Sequence, residues 1–260
     1  TGVQTCALPI SVGTSALEFN TSGNSNTALG RAALRSNVAA SNTAVGESSL
    51  TSNTSGSNNT AVGKSSLLLN SVGQNNSALG SQALFNNTSG SSNTAVGYRS
   101  LYSNTVGTNN TAVGNGSLLL NSVGSTNTAI GRNSLNNNTS GSNNTALGDA
   151  SLLSNSVGAL NAAVGVSSLR SNTSGSSNTS LGYASLYTNS VGNFNSAVGS
   201  SALFRNTSGS SNTSLGYASL YENSVGNNNT SVGNEALRSN TSGSENTAVG
   251  YRSLYSNSVG

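Results

Sequence analysis

The stretch NTAVGYRSLYSN at Asn93–Asn104 returns letter for letter at Asn246–Asn257. The two copies start 153 residues apart, nine times seventeen, and seventeen is the period of nearly the whole chain. With Asn26 as position 1, units begin at Asn26, Asn42, Asn59, Asn76, Asn93, Asn110 and Asn127. They continue at Asn144, Asn161, Asn178, Asn195, Asn212, Asn229 and Asn246. Only the first step is short, by one residue, at NVAAS, and a degenerate unit precedes it from about Pro9 to Ser25. A fixed short period is the mark of a stacked repeat architecture.

The consensus is N-[T/S]-[A/S]-[V/L/I]-G-x-x-[S/A]-L-x-x-N-[T/S]-[S/V]-G-x-x. Position 4 is always Val, Leu or Ile and position 9 always Leu, so two aliphatics per coil are expected to build a thin continuous core. Positions 3 and 8 are Ala or Ser, the size that tight packing demands. Gly at positions 5 and 15 predicts two corners in which positive φ is required. Asn at positions 1 and 12 never varies, and stacked Asn side chains can bond to their own kind above and below. Charged residues such as Arg31, Lys64, Arg99, Asp149 and Glu222 fall only on the variable positions, which must face outward. A fixed inside and a free outside define a solenoid.

The short segments at positions 1–5 and 8–12 predict two strands per coil, with a one-turn helix over positions 6–11 as the alternative to the second strand. The fold class is therefore all-β, a β-solenoid of about fifteen 17-residue coils occupying residues 11–260. Residues 1–10, TGVQTCALPI, ignore the repeat; they read as translated adaptor sequence, with a linker from a preceding domain as the alternative, and are expected to add nothing to folding. On that reading both natural ends of the protein are missing.

Composition agrees with a stacked polar repeat. Only 33% of residues are hydrophobic and 6% charged, with 43 Asn, 31 Gly and a single Pro. Such polarity suits disorder unless coils satisfy one another's polar groups. A net charge of +3, scattered along the chain, is too weak for a nucleic-acid surface. No apolar run approaches the roughly 18 residues of a membrane span. The lone Cys6 excludes an internal disulfide framework.

No enzyme can be assembled from these residues, and no cofactor is expected. There is no His, and the six acidic residues lie on variable positions, with only Glu235 and Glu245 sharing a coil, at positions 7 and 17. The letters GKS at Gly63–Ser65 imitate a phosphate loop, but the upstream Gly56 is mis-spaced and Lys64 is an ordinary position-6 residue. Calcium-binding rolls need an Asp in each repeat, and Asp149 is the only one. Asn-x-Ser/Thr triplets such as Asn53-Thr54-Ser55 follow from composition, since Asn and Thr are both abundant.

All eight tyrosines occur as pairs at positions 6 and 10: Tyr98/Tyr102, Tyr183/Tyr187, Tyr217/Tyr221 and Tyr251/Tyr255. Block duplication of a two-coil unit explains the pattern by itself. The alternative is an exposed aromatic stripe for stacking on sugars or contacting protein, or rings buried between chains of an oligomer.

The NTAVG…SL…N…G unit resembles the head repeats of trimeric autotransporter adhesins of the YadA type, and related units of phage tail-fibre proteins. The resemblance covers Val12–Gly260. It implies a left-handed β-roll, side-by-side association of three chains, and an extracellular place on a cell surface or virion fibre. The expected function is a structural or adhesive stalk or head, with surface glycans or a host or matrix protein as partner. The slim core argues separately for a homotrimer. Two other functions are open: an ice-binding solenoid, from the Thr column at position 2 that Ser77, Ala162 and Ser196 interrupt, and an amyloid-like extracellular matrix fibre.

Overall fold

The computed structural model describes residues 8–260, so Cys6 lies outside the described residues. The described residues divide into two compact units, with the division after Thr126. Every coil supplies one three-residue strand. In the first unit these run from β1 (Ile10–Val12) and β2 (Thr27–Leu29) through β3 (Thr43–Val45), β4 (Thr60–Val62), β5 (Ser77–Leu79) and β6 (Thr94–Val96) to β7 (Thr111–Val113). In the second they run from β8 (Thr128–Ile130) through β9 (Thr145–Leu147), β10 (Ala162–Val164), β11 (Thr179–Leu181), β12 (Ser196–Val198), β13 (Thr213–Leu215) and β14 (Thr230–Val232) to β15 (Thr247–Val249).

Within each unit every strand pairs in parallel with its sequence neighbours, position on position: Thr94 opposite Thr111, Ala163 opposite Ser180. The protein is a parallel β-solenoid with coils of about seventeen residues, and no helix occurs among the described residues. The short coil keeps register, Thr27 opposite Thr43, because its missing residue comes out of the corner after Asn37. The degenerate coil also stacks, with Ile10 opposite Thr27, so the first strand starts inside the segment expected to stand apart.

The interior differs from the expected one. Position 3 points inward, and its alanines, Ala28 to Ala163, are fully buried. Side chains alternate along a strand, so positions 2 and 4 point outward. The position-4 aliphatics accordingly lie on the surface, with Leu79 52% and Leu181 47% exposed. The core is a single leucine column at position 9, wholly buried from Leu34 to Leu237. Positions 3 and 8 meet directly beside it: Ser180 Oγ donates to the Ser185 carbonyl (2.8 Å) and Ser231 Oγ to the Ala236 carbonyl (2.7 Å). Nothing larger than Ala or Ser fits that approach.

The second strand is not formed. Positions 6–11 are a chain of turns, with φ positive at positions 7 and 9, as at Arg99 (53°) and Leu101 (52°). The cause is the adjacency of two inward residues: Ser100 and Leu101 are both fully buried, and an extended strand cannot turn consecutive side chains to one side. The turns still stack. Arg99 N–H donates to the Ser81 carbonyl of the preceding coil (3.1 Å) and Leu101 N–H to the Ser117 carbonyl of the next (3.0 Å). All fifteen position-9 leucines have φ between 46° and 53°. A left-handed L-residue costs about 1–2 kcal/mol, and complete burial of Leu stabilises by about 1.5–3 kcal/mol. Burial wins, narrowly, in each coil.

The two glycines do different jobs. Gly182 at position 5 has φ +135°, and a Cβ there would lie 2.6 Å from the Gly199 carbonyl oxygen of the next coil. Position 15 lacks the positive φ expected of it. A Cβ on Gly158 would stand 2.3 Å from the Gly175 carbonyl and 2.4 Å from Asn155 Oδ1. Close approach to the asparagines, not handedness, selects glycine there.

Both asparagine ladders are present and buried. At position 12, Asn172 Nδ2 donates to Asn155 Oδ1 of the coil before (2.8 Å) and to the Gly175 carbonyl of its own coil (2.8 Å). At position 1, Asn161 Nδ2 donates to that same carbonyl (2.9 Å), while its Oδ1 accepts the backbone N–H of Asn178 (3.0 Å). In the short coil the Ala39 carbonyl takes the part of the glycine, accepting from Asn26 (2.8 Å) and Asn37 (2.7 Å).

Two outcomes follow for stability. Asn172→Ala removes one of the two donors to the buried Gly175 carbonyl and both ladder rungs, to Asn155 and from Asn189, so we expect a loss of about 2 kcal/mol or more. Asn234→Ala, on an exposed position, should change stability by less than about 0.5 kcal/mol. Denaturant titration reads both, and equal effects would contradict the ladder's role. Deleting the whole coil at residues 76–92 removes one repeat and keeps the register, whereas Gly182→Val forces a β-branched residue into a glycine-only conformation against backbone. The thermal midpoint of Gly182→Val should be the lower of the two.

Candidate functional site

Once positions 8 and 9 turn inward, position 10 emerges beside the corner, and its side chains stack coil on coil. In the second unit the column, after Asn136 and Leu153, reads Arg170, Tyr187, Phe204, Tyr221, Arg238, Tyr255. Phe204 lies between Tyr187 and Tyr221, with centroids 5.0 Å from each and rings within 9° of parallel. Guanidinium groups extend the pile: Arg170 sits 5.7 Å from the Tyr187 centroid and donates from Nη1 to its hydroxyl (2.8 Å). Arg238 lies between Tyr221 (5.1 Å) and Tyr255 (5.8 Å). The first unit repeats the arrangement with Phe85 on Tyr102 at 5.1 Å.

The eight tyrosines thus fall into two classes. Those at position 10, Tyr102, Tyr187, Tyr221 and Tyr255, are half-buried, and each has a planar neighbour against it. Those at position 6, Tyr98, Tyr183, Tyr217 and Tyr251, are exposed. Where position 7 is arginine, one guanidinium spans the pair. Arg99 is 5.3 Å from Tyr98 and 5.2 Å from Tyr102, and Arg252 is 5.7 Å from Tyr251 and 4.7 Å from Tyr255. These are the two copies of the repeated dodecamer. Reading tyrosines alone missed Phe85, Phe204, Arg170 and Arg238. Reading position 10 down the coils would have found them.

The charges stack by the same rule. Five of the six acidic residues pair with a base in an adjacent coil. Glu47 lies between Arg31 and Lys64 (3.2 Å from Lys64), and Asp149 receives Arg132 at 2.7 Å. Lys64, the residue of the apparent phosphate loop, is one member of this surface column. The Arg31 hydrogen bond, reinforced by Lys64, holds the Glu47 carboxyl below the usual carboxylate range, and the Arg132 hydrogen bond does the same for Asp149.

Beside the aromatic column of the second unit runs a shallow groove of about 430 Å³, walled by Phe204, Arg205 and Glu222 and by the hydroxyls of Thr188, Thr207, Ser224 and Thr241. Its far side is a hydroxyl ladder, with Thr207 Oγ1 donating to the Ser224 carbonyl (3.0 Å). Among the described residues no three of His, Cys, Asp and Glu gather into a metal-binding group, and no helix is long and apolar enough to cross a membrane. No protein-family model, curated protein or solved structure matches the chain.

The carboxylates set a pH dependence. A folded-state pKa held down contributes stability above the unfolded value and loses it as pH falls through the folded value. We expect the thermal midpoint to drop as pH is lowered below about 4. Because the pairs are exposed, 1 M salt should flatten most of that drop.

Proposed function

We propose that the protein is a structural and adhesive module of an extracellular fibre, on a cell surface or a virion, whose chains associate side by side as a homotrimer. One observation carries this. Positions 2 and 4 face outward in every coil, yet from Ile10 to Val249 neither column holds a single charged residue. Of the other outward positions, 6, 7, 10, 11 and 17 carry Arg, Lys, Glu or Asp in one coil or another, while 13, 14 and 16 hold only uncharged residues. A flat, uncharged face of hydroxyls and aliphatics, kept clean while its neighbours vary, is what a buried interface between chains requires. The resemblance of the repeat to trimeric adhesin heads supports the same reading, and the tyrosine columns supply the adhesive side. Nothing in the residues present supports catalysis, so the chain is read as a non-enzyme.

The test is the molar mass of the full chain by light scattering, expected at three chains. Val62→Lys with Val96→Lys should leave the circular dichroism spectrum unchanged, since both side chains lie outside the core, and should reduce the mass to one chain. A wild-type monomer would overturn the oligomer. The same Thr and aliphatic columns favour an ice-binding face as the second reading, and a monomer showing thermal hysteresis would establish it.

A further inference from the structure

We infer that the position-6 tyrosines of the second unit form a track for an extended, neutral β-1,4-linked polysaccharide of the cellulose or chitin type, one sugar per coil. The inference rests on the adhesive reading above and specifies its ligand.

Tyr183, Tyr217 and Tyr251 are 64%, 57% and 72% exposed, far more than their position-10 partners. Among the described residues no ring stacks on Tyr183 or Tyr217, and no guanidinium covers them. The coils between them carry Ser200 and Asn234 at the same position, so the column alternates ring, polar, ring, polar, ring. The step is set by the scaffold: Phe204 lies 5.0 Å from Tyr187 and Tyr221 in the adjacent column, and successive exposed rings are two strand spacings, about 10 Å, apart.

An extended β-1,4-linked chain has this periodicity. Each pyranose is close to one coil in length and is turned over relative to the last, so a given apolar C–H face recurs on every second sugar. The sugars between them present the opposite C–H face over Ser200 and Asn234, and the hydroxyls on the ring edges can bond to those polar side chains. α-Linked chains coil and cannot hold that register. The position-6 column itself carries no charge from Tyr183 to Tyr251, and Arg252, which lies over Tyr251, is paired with Glu235 at 2.7 Å. That favours an uncharged glycan over a sulfated or uronic one.

The test is depletion of the full chain from solution by microcrystalline cellulose and by chitin, with starch granules and cross-linked dextran as α-linked controls. We expect retention on at least one β-1,4-linked solid and none on the controls. Tyr183→Ser, Tyr217→Ser and Tyr251→Ser together should weaken retention on the order of a hundredfold. Ser200→Tyr with Tyr217→Ser keeps the number of rings but puts two in adjacent coils, and should lose retention as well. Serine occurs naturally at position 6, as at Ser81, and unchanged circular dichroism confirms folding of both variants. Failure of the wild type on both β-linked solids, equal retention on the α-linked ones, or full retention by the respaced variant would each overturn the inference. Light scattering on the same samples reports the fibre reading independently.

Discussion

The carbonyl of position 15 is the point on which each coil closes. It accepts an amide from the asparagine at position 1 and another from the asparagine at position 12, as Gly175 does from Asn161 and Asn172. Both side chains also bond to their counterparts one coil away. The junction therefore ties the two arms of a coil together and ties that coil to its neighbours. A buried amide left unpaired costs about 1–3 kcal/mol, so neither asparagine can be exchanged for a residue that merely fills space. Glycine is dictated by the same junction, because a Cβ would press on the next carbonyl and on the Asn oxygen together.

Closing the coil so tightly leaves little room inside. One small residue on the strand faces one small residue on the turns, and a single leucine fills the remaining width. The chain accepts a left-handed backbone at that leucine in every coil, because the alternative is to expose the only large apolar group the interior has. Here hydrophobic burial and backbone preference oppose each other at nearly equal strength. The asparagine network supplies the margin that a wider core would otherwise provide, which is how a sequence only 33% hydrophobic folds.

Stacking also turns every outward position into a column whose members are one coil apart. Opposite charges fall one above another, as at Arg132 and Asp149, and planar groups pile together, as from Arg170 to Tyr255. Exposed ion pairs are worth little individually, so these columns tune the surface and leave the fold to the interior. A solenoid of this kind presents periodic chemistry at a fixed step, suited to a periodic ligand or to another copy of itself.

Much of this was legible in the sequence. The invariance of Asn at positions 1 and 12 and the confinement of charge to variable positions determined the parallel stack, the period, the ladders and the outward columns. The register followed from the period alone. What the sequence left open depended on direction. Val, Leu or Ile at position 4 reads as core in any linear pattern, and only the three-residue strand, with position 3 facing in, sends it outward. The adjacent pair at positions 8 and 9 reads as part of a strand, until both residues are required inside the same narrow coil. The tyrosines read as uniform pairs, and the neighbouring coils alone separate those stacked against Phe204 from those left open to solvent. Periodicity specifies which residues must be alike. Which way each one points is decided by closure of the coil, where the chain meets itself seventeen residues on.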